Sequence, residues 1–268
     1  MRLNPAVDLV QVRAVYEGIQ AQLYELFMGQ QIHVGGYRST MDLADAAGIG
    51  AGQSGVELCC GSGASMRLLV RLREVHSMTG VELATAPVER GRTSVQREGL
   101  GDRVRFIVDD ATSTELPEAG ADFVWGEDAW CYVPDKESLV AEAARLTKRA
   151  GMIAFTDWVE GPTGLSEAEA GQVMETMTFP SLQTLEGYPA MLENHGYEVL
   201  IAEDTKRFGP CFESYAALLA SQLGFDALAM FDFNVDLLDL VVEQLEGFSR
   251  LGYDEKLVQG RFVARKRQ

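Results

Sequence analysis

Between residues 55 and 159, short apolar runs alternate with stretches of helical periodicity. The apolar runs cover residues 55–60, 77–83, 104–110, 121–128 and 151–159, and helical patterns at 64–75, 86–98 and 136–149 lie between them. Each apolar run has the length of a buried strand, and parallel strands need long crossover connections, which are usually helices. The alternation therefore predicts an α/β fold with a mostly parallel sheet and helices on both faces.

The N-terminal segment predicts a helical cap that precedes the sheet. Apolar residues recur at spacings of three and four from Val12 to Leu26, which predicts one amphipathic helix over residues 6–28 that faces the core or a pocket. The Gly-rich segment 29–39 breaks this period and is interpreted as a loop. A second helix is expected near residues 40–48.

The C-terminal part predicts a lid followed by a final pair of strands. Residues 160–190 are polar and helical, with breaks at Pro162 and Pro180, and a further helix ends at Gly196. Strands are expected at 197–205 and 260–266, separated by the long helical region 212–250. This order favours an antiparallel hairpin at the edge of the sheet. We expect a single domain, in which the cap, core, lid and C-terminal part cover residues 1–50, 51–159, 160–196 and 197–268.

A turn of small residues follows the first strand of the core. Glu57 lies in that strand, and the turn Cys59-Cys60-Gly61-Ser62-Gly63 leads directly into a helix. Ligands of open α/β sheets bind at the carboxyl ends of the strands, where such a turn and a helix N-terminus offer free N–H groups. An ordinary strand-to-helix turn is the alternative interpretation.

The acidic residue at the end of the next strand narrows the choice of ligand. Glu82 follows Gly63 by 19 residues, about where a carboxylate accepts hydrogen bonds from ribose hydroxyls. A dinucleotide fingerprint needs a third Gly, but that position is Met66, whose bulk opposes close packing on a pyrophosphate. S-adenosylmethionine has a ribose and a carboxylate but no phosphate, so the pattern favours it over a nicotinamide cofactor.

Two further strand ends carry polar and aromatic residues. Asp110 and Ala111 suit an adenine ring, although an Asp that caps a helix is also common after a strand. Residues 125–132 concentrate aromatic and acidic side chains at the edge where ligands bind. Asp128, Trp130 and Tyr132 are the candidates there, and packing in the core is the alternative for the aromatic ones.

Charge and composition exclude several classes of partner. The chain has 23 Lys and Arg against 40 Asp and Glu, a formal net charge of −17, which repels nucleic acid and anionic membrane surfaces. We see no signal peptide and no apolar stretch of about 18 residues, so a cytoplasmic protein without a membrane partner is expected. The four cysteines lack CxxC spacing and the three histidines are scattered, so we predict reduced thiols and no metal.

These motifs, in this order, resemble those of the class I S-adenosylmethionine-dependent methyltransferases. The resemblance covers residues 24–268. Within this family, the chain is similar to the small-molecule branch that includes sarcosine/dimethylglycine N-methyltransferases, phosphoethanolamine methyltransferases and sugar O-methyltransferases. Its motifs are residues 57–63, 81–83, 109–111, 122–130 and 146–158, with Cys59 at a customary Gly position. It implies a Rossmann-like class I fold with a seven-stranded sheet, and S-adenosylhomocysteine as product. The implied cofactor contacts are Glu57, Cys59, Gly61, Gly63, Glu82, Leu83, Asp110, Ala111 and Glu127.

Two segments of the resemblance bear on the methyl acceptor. Residues 23–37 are similar to a stretch of glycine-betaine-type N-methyltransferases that covers the cofactor and contains a His, here His33. Residues 126–132 resemble an acidic stretch of the phosphoethanolamine enzymes, but Tyr132 stands where those have a catalytic His. An amine acceptor must arrive unprotonated, so a nearby base is useful, and Asp128, Tyr132 and His33 are the candidates. Trp130, Trp158 and Tyr24 are the predicted acceptor contacts, since aromatic faces attract a methylated ammonium group.

Methylation of a small amine of the glycine, sarcosine or dimethylglycine type is the main hypothesis from the sequence. Methylation of oxygen or carbon in an apolar natural product is the alternative, because the Met-rich lid offers an adaptable apolar wall. A nicotinamide-dependent oxidoreductase and a cofactor sensor without catalysis also remain open. The expected partner is a small-molecule acceptor, and the chain is expected to be a monomer or a homodimer.

Overall fold

The computed structural model describes residues 1–268 and contains nine strands and eleven α-helices. The strands are β1 (Arg2–Leu3), β2 (Ser54–Leu58), β3 (Ser77–Glu82), β4 (Val104–Val108), β5 (Ala121–Glu127), β6 (Thr147–Glu160), β7 (Ser181–Thr184), β8 (Tyr197–Asp204) and β9 (Leu257–Lys266). The helices are α1 (Leu9–Glu17), α2 (Ile19–Met28), α3 (Gly36–Ala47), α4 (Ala64–Leu72), α5 (Thr85–Arg97), α6 (Lys136–Leu146), α7 (Glu167–Met177), α8 (Gly187–Asn194), α9 (Phe208–Leu219), α10 (Gly224–Met230) and α11 (Val235–Tyr253).

Seven strands form the central sheet in the order β4-β3-β2-β5-β6-β9-β8. All pairs from β4 to β6 are parallel, whereas β9 lies antiparallel to both β6 and β8. The order reverses between β2 and β5, and the carboxyl ends of the strands at such a reversal form a crevice for ligands. The predicted mostly parallel sheet with an antiparallel edge hairpin is confirmed.

The two ends of the long strand β6 have different neighbours. Strand β5 pairs with β6 as far as the pair Glu127 and Thr156, and β7 then pairs with Val159 and Glu160. Strand β1 adds to β7 in antiparallel orientation. The expectation of a wholly helical lid over residues 160–190 is therefore wrong, because β6 extends beyond β5 and leaves an edge on which β7 forms its hydrogen bonds.

Residues 6–28 of the N-terminal cap form two helices where the sequence predicts one. Helix α1 begins with a capping box in which Asp8 and Gln11 bond each other's backbone N–H groups. Gly18 then adopts an extended conformation, with φ −104° and ψ −172°, and separates α1 from α2. Both helices still present an apolar face to the protein, and Val12, Leu23 and Phe27 are buried there.

Buried apolar residues form three clusters around this framework. One cluster lies between the sheet and helices α3, α4 and α5, and a second lies on the other face with α6 and α8. The third lies beyond the strand ends, where α1, α2, α7, α9 and α11 converge. None of the α-helices combines the length and the apolar composition that a membrane span requires.

Candidate active site

The turn between β2 and α4 has a conformation that its small residues permit. Cys59, Gly61 and Gly63 all have positive φ angles, of 63°, 53° and 66°. A Cβ atom on Gly63 would lie 2.6 Å from the side chains of Met66 and Phe106, so only glycine fits this position. Cys59 adopts the left-handed conformation that usually favours glycine.

A cavity of about 350 Å³ lies above this turn at the carboxyl ends of β2, β3 and β5. It brings together eight of the nine residues predicted to contact the cofactor, namely Glu57, Cys59, Gly61, Glu82, Leu83, Asp110, Ala111 and Glu127. Gly63 is buried beneath the turn, where it shapes the backbone without lining the cavity. The three predicted bases, His33, Asp128 and Tyr132, also line this cavity. We call it the cofactor cavity.

Glu82 connects the turn to the end of β3. Its Oε2 accepts a hydrogen bond of 2.9 Å from the Gly61 N–H, and its Oε1 accepts one of 2.9 Å from the Ala84 N–H. Burial raises the pKa of this carboxyl group, and the backbone donors oppose that rise. Each oxygen keeps a further lone pair for a ligand hydroxyl.

Two buried carboxylates in the cofactor cavity have oxygens without a hydrogen-bond partner. Glu127 Oε2 accepts from the Thr40 hydroxyl at 3.0 Å and from the Trp125 indole at 3.2 Å, whereas Glu127 Oε1 and Glu57 Oε2 have no partner. Burial and the charge of Glu127 raise the pKa of Glu57 well above its ordinary value. Unpaired buried acceptors are rare in proteins and require a donor. The ammonium group of S-adenosylmethionine fits this acidic site.

Residues from the N-terminal cap close the cofactor cavity from above. Helix α1 contributes Leu9, Val12, Arg13 and Tyr16, which are not among the predicted cofactor contacts, and the loop after α2 contributes Gln30, Gln31, Ile32 and His33. This loop belongs to residues 23–37, for which the family resemblance implies a segment that covers the cofactor. The apolar periodicity of residues 12–26 indicated a buried face. It left open whether the core or a pocket lies against that face.

A second cavity of about 90 Å³ adjoins the first, and we call it the acceptor cavity. The two cavities share Tyr16, Ile32, Asp128 and Tyr132. Fourteen of the 18 residues around the acceptor cavity are hydrophobic, and α2, α9 and α11 supply many of them. Asp128 is its only charged residue, and no Lys or Arg faces it.

Asp128 lies where the two cavities meet. Its Oδ2 accepts hydrogen bonds of 2.8 Å from the Val34 N–H and 2.8 Å from the Gln259 side chain. Its Oδ1 is buried and has no partner. Burial raises the pKa of this carboxyl group. A buried carboxylate with one free oxygen can accept a proton from a bound acceptor.

His33 and Tyr132, the other predicted bases, differ from Asp128 in their surroundings. His33 is buried, with Nε2 3.3 Å from the Thr40 hydroxyl and 3.6 Å from Glu127 Oε2, while its Nδ1 has no partner. Burial raises the pKa of Tyr132 well above its ordinary value, so its phenol stays neutral at physiological pH. Tyr132 therefore suits hydrogen bonding and packing better than proton abstraction.

The predicted acceptor contacts divide between the cavity and the core. Trp158 and Tyr24 line the acceptor cavity, and Trp158 packs edge-on against Phe179, Phe208, Phe212 and Phe248. Trp130 lines neither cavity, so the structure corrects that prediction. The short 3-10 helix Trp130–Tyr132 turns the indole inward, where it stacks on Phe155 at 4.1 Å and covers Gly126.

Comparison with known proteins agrees with this fold. Residues 56–155 match the family model described as a methyltransferase domain. Together with the sheet order and the cofactor cavity, this match defines a class I methyltransferase fold. The chain is an S-adenosylmethionine-dependent methyltransferase that acts on a small molecule, and the nicotinamide alternative is set aside.

Three similar proteins illustrate the range of this group. The chain is 28% identical to Methyltransferase GfsG of Streptomyces halstedii over 202 residues, which cover 72% of each chain. It is 28% identical to the 27-O-demethylrifamycin SV methyltransferase of Amycolatopsis mediterranei, over 70% of this chain and 74% of that one. A structure of a putative sarcosine dimethylglycine methyltransferase from Galdieria sulphuraria superposes with a TM-score of 0.83 at 19% identity, covering 94% of this chain and 98% of that one.

Proposed function

We propose that the enzyme transfers the methyl group to a hydroxyl oxygen of an apolar small molecule. The composition of the acceptor cavity carries this proposal, because 14 of its 18 residues are hydrophobic and Asp128 is the only charged one. Such a wall binds apolar surface, and the free oxygen of Asp128 gives the bound molecule one polar anchor. The similar rifamycin O-methyltransferase supports an acceptor of this kind.

The same cavity disfavours the amino acid and phosphobase acceptors. Glycine, sarcosine and dimethylglycine carry a carboxylate, and phosphoethanolamine carries a phosphate. Burying either anion without a cationic partner is costly, and the acceptor cavity contains no Lys or Arg. The sequence-based preference for an amine of the glycine type therefore gives way to its alternative.

Asp128 is the base in this proposal. Bound S-adenosylmethionine supplies an electrophilic methyl group on a sulfonium, with S-adenosylhomocysteine as the leaving group. Asp128 Oδ1 accepts the hydroxyl proton of the acceptor as the new O–C bond forms, and the surrounding apolar residues exclude water. Tyr16, Ile32 and Tyr132, which border both cavities, orient the acceptor for in-line transfer.

The cofactor-contact residues are assigned from the same geometry. Glu82 holds the ribose hydroxyls, Asp110 and Ala111 hold the adenine, and Glu57 and Glu127 hold the ammonium group. Each of these residues lines the cofactor cavity. The left-handed turn at Cys59–Gly63 leaves room for the ligand beside the backbone.

An apolar amine is the second candidate acceptor. The carboxylate of Asp128 lies in a cavity that also contains the aromatic side chains of Tyr132 and Trp158. Aromatic faces attract an ammonium group by about 0.5–2 kcal/mol, and a carboxylate adds to that attraction. This candidate shares the apolar wall and differs in the atom that is methylated.

A panel of acceptors tests the proposal. The purified protein is incubated with S-adenosylmethionine and three sets of compounds: apolar alcohols and phenols, apolar amines, and small zwitterionic amines. S-adenosylhomocysteine is measured by mass spectrometry, and the methylated atom is identified by NMR. Turnover confined to the alcohols and phenols with a new O-methyl signal is expected. Methylation of glycine or sarcosine, or a product methylated on nitrogen or carbon, would contradict the proposal.

A further inference from the structure

Gln259 on β9 is a fully buried amide that contacts two parts of the active site. Its Nε2 donates a hydrogen bond of 2.8 Å to Asp128 Oδ2 and another of 3.0 Å to the backbone oxygen of Val34. Val34 follows His33 in the loop that closes the cofactor cavity. One side chain therefore joins β9, the end of β5 and the loop of the cap.

A second residue bonds the other end of this amide. The hydroxyl group of Thr205 donates a hydrogen bond of 2.8 Å to Gln259 Oε1. The reversed amide would place its oxygen against Asp128 Oδ2 and the Val34 carbonyl oxygen and would lose both of those bonds, whereas the Thr205 hydroxyl can donate or accept. Gln259 is thus held as a donor toward Asp128.

The arrangement distributes donors unequally over the Asp128 carboxylate. Oδ2 receives both the Gln259 side chain and the Val34 N–H, whereas Oδ1 receives no donor. Asp128 also has a positive φ of 50°, a conformation that costs energy in a residue other than glycine and is retained when surrounding contacts stabilise it. The donors on Oδ2 provide those contacts.

We propose that Gln259 is a positioning residue for methyl transfer, which holds Asp128 with Oδ1 directed to the acceptor and stabilises its ionised form. The proposal rests on the role of Asp128 in the proposed function. Donors to an ionised carboxylate lower its pKa, and this effect opposes the rise that burial causes. Removing Gln259 therefore raises the pH at which Asp128 becomes ionised.

Other titratable groups surround Asp128, so the test must isolate the contribution of Gln259. Glu127, the last residue of β5, directly precedes Asp128. Asp157 faces Asp128 from β6, and His33 faces it from the loop before α3. Phenols and thiols complete the surroundings, with Cys131 and Tyr132 in the 3-10 helix, Cys211 and Tyr215 on α9, and Tyr16 on α1. None of these groups is altered in a variant of Gln259.

Infrared spectroscopy tests the proposal without an acceptor. The spectrum of the protein without ligand is followed with pH, and the carboxyl band of Asp128 is the component absent from Asp128→Asn. Gln259→Met keeps the length of the side chain and removes its donors. We expect the midpoint of the Asp128 band to rise by about one pH unit or more in this variant. Gln183→Met is the matched control, because Gln183 is buried on β7 and lines neither cavity.

A milder variant covers the case in which Gln259→Met fails to fold. Thr205→Val removes only the hydroxyl that bonds Gln259 Oε1, and it should raise the same midpoint by less. An unchanged midpoint in folded Gln259→Met, or in Thr205→Val if the first variant does not fold, would overturn the proposal, as would an equal rise in Gln183→Met. If the midpoint rises while the pH dependence of turnover stays unchanged, the base role of Asp128 is wrong and the positioning of its carboxylate by Gln259 is retained.

Discussion

The hydroxyl group of Thr40 on α3 donates a hydrogen bond of 3.0 Å to Glu127 Oε2 at the end of β5. The same hydroxyl accepts a bond of 2.8 Å from the side chain of Gln31, so the cap loop, α3 and the sheet meet at this carboxylate. This contact leaves Glu127 Oε1 without a partner inside the cofactor cavity. The cap and the cofactor site are therefore one structural unit.

Replacing Glu127 with Gln should weaken cofactor binding. The substitution removes a buried charge opposite the site proposed for the ammonium group. A hydrogen bond to a charged group contributes about 1.5–3 kcal/mol of stabilisation. We expect a loss of affinity for S-adenosylmethionine of about 10- to 100-fold by calorimetry. Glu142→Gln is the control, because Glu142 is equally buried at 6% exposure but lies outside both cavities. Equal affinities for the wild type and Glu127→Gln would contradict the assignment.

Replacing Glu82 with Ala should weaken cofactor binding more than replacing Asp128 with Ala. Glu82 holds the turn through the N–H groups of Gly61 and Ala84, and it is the proposed partner of the ribose. Asp128 is the proposed base and should affect turnover instead. Calorimetric titration of both variants with S-adenosylhomocysteine measures the difference, and the reverse order of affinities would remove Glu82 from the ribose site.

Filling the acceptor cavity should reduce turnover without affecting the cofactor. Val241 on α11 lines only the acceptor cavity, and Val241→Phe adds more volume than a space of about 90 Å³ accommodates beside a substrate. We expect kcat/KM for the acceptor to fall by about tenfold or more, with an unchanged Kd for S-adenosylmethionine. The adjacent Leu240 is 49% exposed, so Leu240→Phe is a matched control that should retain activity. A similar loss in both variants would mean that the cavity does not hold the acceptor.

The buried Asp157 should make stability depend on pH. Asp157 accepts from the Cys131 N–H at 2.9 Å and from the Tyr188 hydroxyl at 2.6 Å, and burial raises its pKa from 3.8 to about 6. Between about pH 4 and pH 6, the folded state then binds more protons than the unfolded state. The contribution of Asp157 to the free energy of unfolding therefore falls as the pH rises through this range. The fall is about 3 kcal/mol for a pKa difference of about 2 units.

Urea denaturation at several pH values checks this dependence. Asp157→Asn cannot titrate, so its free energy of unfolding should lack this component of the slope between about pH 4 and pH 6. Asp135→Asn is a suitable control, since Asp135 is an exposed helix cap whose pKa is lowered by its hydrogen bonds with Ser138. Parallel curves for the wild type and Asp157→Asn would show that Asp157 does not titrate in this range.

The arrangement of the sheet and the location of the cofactor cavity follow from sequence patterns alone. Parallel strands joined by helices have one regular arrangement, and the carboxyl ends of neighbouring strands lie at the same edge. The residues at those ends, such as Glu57, Glu82 and Asp110, could therefore be assigned before the structure was known. Local conformation also follows from the sequence where steric clashes leave room only for glycine, as at Gly63. The helix break at Gly18 within the cap differs from the single helix that the periodicity predicts.

Which side chains line the acceptor cavity could not be predicted from sequence patterns. Trp130 and Tyr132 are two residues apart, yet one indole packs in the core and one phenol borders both cavities. The acceptor cavity is formed by helices from distant parts of the chain, and Gln259 reaches Asp128 across 131 residues of sequence. Periodicity identifies a buried face, but it does not identify what packs against that face. What packs against a buried face depends on long-range contacts, which bring together side chains that are far apart in the sequence and share no local pattern.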